Sequence, residues 1–192
     1  VGPIVPRGNV MAQVSGATSA QAFAVTFRQA IANPDVSAIV LDVDSPGGSV
    51  FGIEELADTI RGARGDKPII AVANTLAASA AYWVATQADE LIASPSSQLG
   101  SIGVLAVHQD LSGAADKAGV RVTHISSAKF KAEVNPFEPL GEDARVALQA
   151  LVDGYHRAFV RAVARGRGVS QADVEEQFGQ GRVVGAGEAV KR

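Results

Sequence analysis

Three short stretches carry residues whose types and spacing could do covalent chemistry. In TLAASAAYWVA, Thr75 to Ala85, the hydroxyl of Ser79 sits among small apolar residues at the expected start of a helix. Unsatisfied N–H groups in a first helical turn favour a developing anion, and Ala77, Ala78, Ala80 and Ala81 leave room for a substrate backbone. The same serine would also serve as a simple helix cap. In SPGGS, Ser45 to Ser49, two adjacent glycines follow an expected buried strand. They permit a backbone closed to residues with a Cβ and let main-chain N–H groups approach a ligand, which suits an oxyanion hole; a tight turn is the plainer reading.

A serine needs a base to take its proton. The G-x-S-x-G elbow of lipases is absent, because Ser79 is flanked by Ala-Ala on both sides. None of the histidines, His108, His124 and His156, lies in a segment shaped for that role, and their spacing suits no metal. A lysine serves if burial lowers its pKa. Lys129 and Lys131 stand close together in SSAKFKAEVNPF, where a solvated surface is the alternative for each. Asp42 and Asp44 suggest a metal pair, but taken as pointing to opposite faces of a strand they are not expected to converge. The arginine-rich RAVARGRG, Arg161 to Gly168, reads as a solvated helix end, with a contact to another protein as the alternative.

The elements that must position these residues alternate along the chain. Thr18 or Ser19 caps a helix ending near Asn33-Pro34, and VSAIVLDVDS, Val36 to Ser45, reads as a parallel-sheet strand buried on both faces. A helix over Ile53 to Ala63 precedes the strand IIAVAN. Further strands are expected in DELIASP, in SIGVLAV (Ser101 to Val107) and in VRVTHIS, with a helix between the last two that ends at Gly119. The longest helix spans about Glu142 to Arg165, with Leu148, Leu151, Val152, Tyr155, Phe159, Ala162 and Val163 on one stripe taken as mostly intramolecular core. Gly166 and Gly168 break it, and Ser170 caps a last helix through Phe178. This alternation predicts an α/β fold with a mainly parallel sheet.

Composition narrows the possibilities. The 192 residues, 47% hydrophobic, suffice for one core, so 1–192 is expected to be a single domain. A net charge of −3 with both signs interspersed leaves no basic face for nucleic acid. The absence of cysteine removes disulfides, thiolate zinc sites and a cysteine nucleophile. No apolar run reaches the ~20 residues that span a bilayer. A start at Val1 rather than methionine is what an excised or processed domain is expected to show, so an anchor elsewhere stays open.

Taken in order, VLDVDSPGGSV, LAASAAYWVA, LGSIGV and AKFKAEVNPFEPL resemble the S49 serine peptidases, from the opening PIVPRGNV to the closing GRVVGAGEAVK. The resemblance implies a ClpP/crotonase-like fold, its sheet flanked by helices, and a serine endopeptidase that needs no cofactor. Position by position, it makes Ser79 the nucleophile and Lys131, 52 residues later, the general base of a Ser-Lys dyad. It makes Ser101 the serine that orients the lysine amine, Gly48 the oxyanion-hole glycine with Ala80 or Ser79 N–H as second donor, and Lys129 a lesser neighbour.

Ala80-Ala81 stands where cellular signal peptide peptidases of the family have Gly-Gly, and with NPFEPL this points to the phage capsid-maturation branch. The alternatives are a signal peptide peptidase and a non-catalytic scaffold of the same fold. A crotonase-like acyl-CoA enzyme would leave Ser79, Ser101 and Lys131 without a joint purpose. Ala128 replaces a frequent glycine, and relatives run on beyond the position of Arg192, which implies a domain clipped at its C-terminus. The family also implies a peptide or protein substrate and a homo-oligomer. The implied location is the host cytoplasm or procapsid, or a membrane surface if an anchor lies outside this chain.

Overall fold

The computed structural model describes residues 2–8 and 16–192, so Asn9 and Val10 of the opening motif lie outside the described residues. The chain divides into two compact units, Val1–Gly103 with His156–Arg192, and Val104–Tyr155.

The first unit holds all the described strands: β1 (Ile4–Val5), β2 (Thr18–Ser19), β3 (Ile39–Ser45), β4 (Ile69–Ala78), β5 (Glu90–Ala93), β6 (Gln98–Gly100) and β7 (Val183–Gly185). β1 and β2 form a small parallel pair, and the main sheet runs β3-β4-β6-β7 with β5 beside β4. Three of its pairings are parallel and that of β6 with β7 is antiparallel, so the sheet is mixed rather than mainly parallel as expected. An antiparallel strand at the edge of an otherwise parallel sheet needs no crossover helix, and the three-residue β7 was invisible as a periodic signal.

β3 alternates strictly between buried and exposed positions, which corrects the expectation of a strand buried on both faces. Ile39, Leu41, Val43 and Ser45 face the core; Val40, Asp42 and Asp44 face out. A period of two puts residues i and i+2 on one side, so Asp42 and Asp44 share a face, contrary to the expectation. No group of three or more potential ligands that could hold a metal occurs among the described residues.

Helices cover the inner face. The helix Ala20–Ala32 starts at Ser19, whose hydroxyl accepts the Ala22 N–H, and Ile53–Gly62 buries Ile53, Leu56, Ala57 and Ile60 at helical spacing. Trp83 stacks on Phe159 at 4.7 Å between ring centroids, joining the helix Ala80–Ala85 to the long helix Glu142–Arg167. That long helix buries Ala158, Phe159, Val160, Ala162, Val163 and Ala164, whereas Leu151 and Val146 on its earlier turns are exposed, so only the later part of the expected stripe is core.

Gly166 does not break this helix: a Cβ there would lie 2.2 Å from the Thr86 carbonyl oxygen, so the glycine marks a close approach of two backbones. Gly168, at φ +70, ends it, with the Val169 N–H reaching back to the Ala164 carbonyl. Two of the arginines in this solvated end also reach the helix Ile53–Gly62 through exposed ion pairs, Arg165 to Asp58 at 2.5 Å and Arg161 to Glu54 at 3.9 Å. Ser170 caps the helix Gln171–Gln177 through a reciprocal bond with Asp173.

The second unit contains the helix Ser112–Lys117 and the start of the long helix. The strands expected in Ser101–Val107 and in VRVTHIS are not formed. A β-branched, alternating run becomes a strand only with a ladder partner, and residues 121–127 are exposed throughout. Among the described residues, no helix is long and apolar enough to cross a membrane.

Candidate active site

β4 ends at Ala78, in register with Gly100 of β6, and the helix Ala80–Ala85 begins two residues later. Ser79 makes the turn in between with φ 53° and ψ −128°, a conformation rarely taken by a residue with a Cβ. Its N–H donates to the Gly100 carbonyl at 2.8 Å and its carbonyl accepts the Trp83 N–H at 3.0 Å. Although Ser79 occupies the N-cap position, its hydroxyl makes no capping bond, which removes the plain structural reason for a serine there. A strained serine between a strand and a helix is the shape of a nucleophile elbow, built here with Ala77 and Ala81 in the glycine positions. Both alanines are essentially fully buried.

The elbow rests against the SPGGS loop. A Cβ on Gly47, at φ +92, would lie 2.7 Å from the Ser79 Cβ and 2.9 Å from the Ala80 nitrogen. Gly48 pairs with Ile4: the Ile4 N–H donates to the Gly47 carbonyl at 2.7 Å and the Ser49 N–H donates to the Ile4 carbonyl at 3.0 Å. In that pairing the N–H of Gly48 itself is directed to the side away from Ile4. Because the Ser79 N–H is committed to Gly100, the N–H at this turn that could meet a ligand is that of Ala80.

Ser101 follows β6 just as Ser79 follows β4, at the carboxyl ends of two adjacent parallel strands about 5 Å apart. It too has positive φ, 54°, and its N–H is held by the Arg182 carbonyl at 2.8 Å. The first unit therefore brings together Ser79, Gly48, Ala80 and Ser101.

Lys131 belongs to the second unit, where its side chain is exposed and, among the described residues, without an ion-pair partner. Lys129 is engaged, with its amine 3.2 Å from Asp143 and 4.5 Å above the Phe130 ring centroid. In the same unit His108 bonds the Asn135 carbonyl at 3.0 Å, and His124 lies 3.9 Å from Glu138.

Two residues outside the sequence-based set hold this arrangement. Ser45, fully buried, bridges Gly2 and the Gly47 N–H, and its only sequence signal is a hydroxyl at the end of an apolar strand. Arg64 donates to the carbonyls of Thr86, Gln87 and Ala88, closing the far end of the helix that starts at Ala80.

The family model of peptidase family S49 matches residues 62–192. The chain is 34% identical over 88% of its length to capsid assembly protease C of Escherichia phage lambda, and 36% identical over 88% to head-tail preconnector protein GP5 of Enterobacteria phage P21. It is 30% identical over 95% of its length to Protease 4 of Salmonella typhi. It spans 38%, 34% and 29% of the lengths of those three proteins. With Ser79, Ser101 and Lys131 all inside the matched region, the chain belongs to peptidase family S49.

Proposed function

We propose that this chain is the peptidase domain of a serine endopeptidase that matures a phage capsid, using Ser79 and Lys131 as a catalytic dyad on a ClpP/crotonase-like fold. The observation that carries the reading is the strained, uncapped Ser79 at the end of β4, packed against Gly47 of the SPGGS loop. In this mechanism a neutral Lys131 amine takes the Ser79 proton as Oγ attacks the scissile carbonyl. The oxyanion is held by the Gly48 and Ala80 N–H groups. Lys131 passes the proton to the leaving amine, and water then releases the acyl group with the lysine again as base. Ser101 orients the amine. The exposed Lys131 calls for a cover from substrate or a further copy of the chain, and a homo-oligomer with its sites turned inward supplies one.

Capsid or scaffold proteins as substrates, and the procapsid as the place of action, follow from the likeness to the lambda protein. The likeness to a putative signal peptide peptidase SppA of Enterococcus faecium, 29% identical over 81% of the chain, favours clearance of signal peptides as the second reading. The test is cleavage of casein and of the two substrate classes by the wild-type, Ser79→Ala and Lys131→Ala proteins, with products read by mass spectrometry. Loss in both variants with the fold intact is expected; cleavage retained in either one removes the dyad.

A further inference from the structure

The oxyanion loop is held from behind by the start of the chain. Ser45 ends β3 with no exposed surface; its hydroxyl donates to the Gly2 carbonyl at 2.7 Å and accepts the Gly47 N–H at 3.1 Å. Two residues on, Ile4 brackets Gly48 with the two main-chain bonds described above, and its side chain is buried in the core. The segment is itself anchored: the Gly2 N–H donates to the Thr18 hydroxyl at 2.9 Å, and the Thr18 N–H to the Pro3 carbonyl at 2.8 Å. A Cβ on Gly48 would lie 2.0 Å from the Ile4 carbonyl oxygen, so this approach, and not only room for a substrate, demands the glycine.

We infer that Ser45 is a positioning residue for the peptidase reaction: its hydroxyl ties the Gly2–Ile4 segment to the Gly47–Gly48 loop and so fixes the direction of the Gly48 N–H. The inference rests on the proposed oxyanion role of Gly48. Main-chain donors stabilise charge only when already aimed at where it develops, and a loop built on two adjacent glycines has little stiffness of its own. The buried hydroxyl supplies that stiffness. It touches no substrate, and its effect is transmitted through Gly47.

Ser45→Ala removes both bonds, while Ser45→Cys keeps a somewhat larger group there that is only a weak donor and acceptor. Both are made in the full chain and compared with wild type by peptide-cleavage kinetics and by hydrogen–deuterium exchange. Expected is a fall in kcat of about 10- to 100-fold in both variants with KM within about threefold, as for a displaced oxyanion donor. Exchange should rise together in peptides covering Gly2–Val5 and Ser45–Phe51. A merely structural hydroxyl would lower Tm and leave kcat of the folded fraction unchanged, and that result overturns the inference. Exchange that rises at Ser45–Phe51 alone also overturns it, because the N-terminal segment would then not be coupled. If wild-type turnover survives Ser79→Ala, the proposed function fails instead, while the exchange comparison still decides whether the coupling exists.

Discussion

Gly47→Ala tests the packing that brings the SPGGS loop against Ser79. The new Cβ would lie 2.7 Å from the Ser79 Cβ, 2.8 Å from the Ala78 carbonyl oxygen and 2.9 Å from the Ala80 nitrogen, and two of these are backbone atoms that cannot swing aside. The φ of +92 adds about 1–2 kcal/mol for a residue with a Cβ, and overpacking adds about 1–3 kcal/mol. The total, about 2–5 kcal/mol, is less than the 5–15 kcal/mol of a typical domain, so the protein should still fold. For a chain of this size it corresponds to a Tm lower by about 4–20 °C. Gly62→Ala is the control. Gly62 ends the helix Ile53–Gly62 with open space where a Cβ would go, so the change should be neutral or stabilising by up to about 1 kcal/mol. Thermal unfolding followed by circular dichroism reads both. A Gly47→Ala protein melting within about 2 °C of wild type, or a Gly62→Ala protein falling equally, would refute the packing argument.

Gly166→Ala sets two effects against each other: alanine gains about 1 kcal/mol of helix propensity, but its Cβ would overlap the Thr86 carbonyl oxygen at 2.2 Å. The overlap should win, lowering the denaturant midpoint, whereas alanine at an open helical site would raise it. Burial pushes the Tyr82 phenol above its ordinary pKa of 10.0, against the opposing pull of Arg167 and Arg192. The unfolded chain therefore loses this proton first; the contribution to stability is complete below about pH 10 and is lost as pH climbs through the raised folded value. Absorbance near 295 nm should show one of the two tyrosines titrating late, a phase that Tyr82→Phe removes.

Elements with their own periodicity were legible in the sequence. Leu56, Ala57 and Ile60 mark a helix, and the aliphatic runs of β3 and β4 mark strands. Elements that exist only through their partners were not. Ile4–Val5 and Thr18–Ser19 are two residues each and are strands because they pair with one another. VRVTHIS failed in the opposite sense, with the right residue types and no neighbour to bond. At the site, the Gly47-Gly48 pair and Ser79 could be singled out because glycine in tandem and a hydroxyl among alanines are unusual. The backbone strain at Ser79 and the hold of Ser45 on the loop arise from contacts between segments 32 to 43 residues apart, which no local pattern encodes.

The paired left-handed serines bear on how this chain would respond to selection. Ser79 and Ser101, at φ 53° and 54°, each hold a backbone that glycine would adopt without penalty, at a cost on the order of 1–3 kcal/mol apiece. Selection for thermal resistance alone would therefore be expected to drift both positions toward glycine, gaining stability while erasing two hydroxyls. Serine at both is the residue that such drift would remove first, so a library screened only for heat survival should lose it early, and one screened for turnover should keep it.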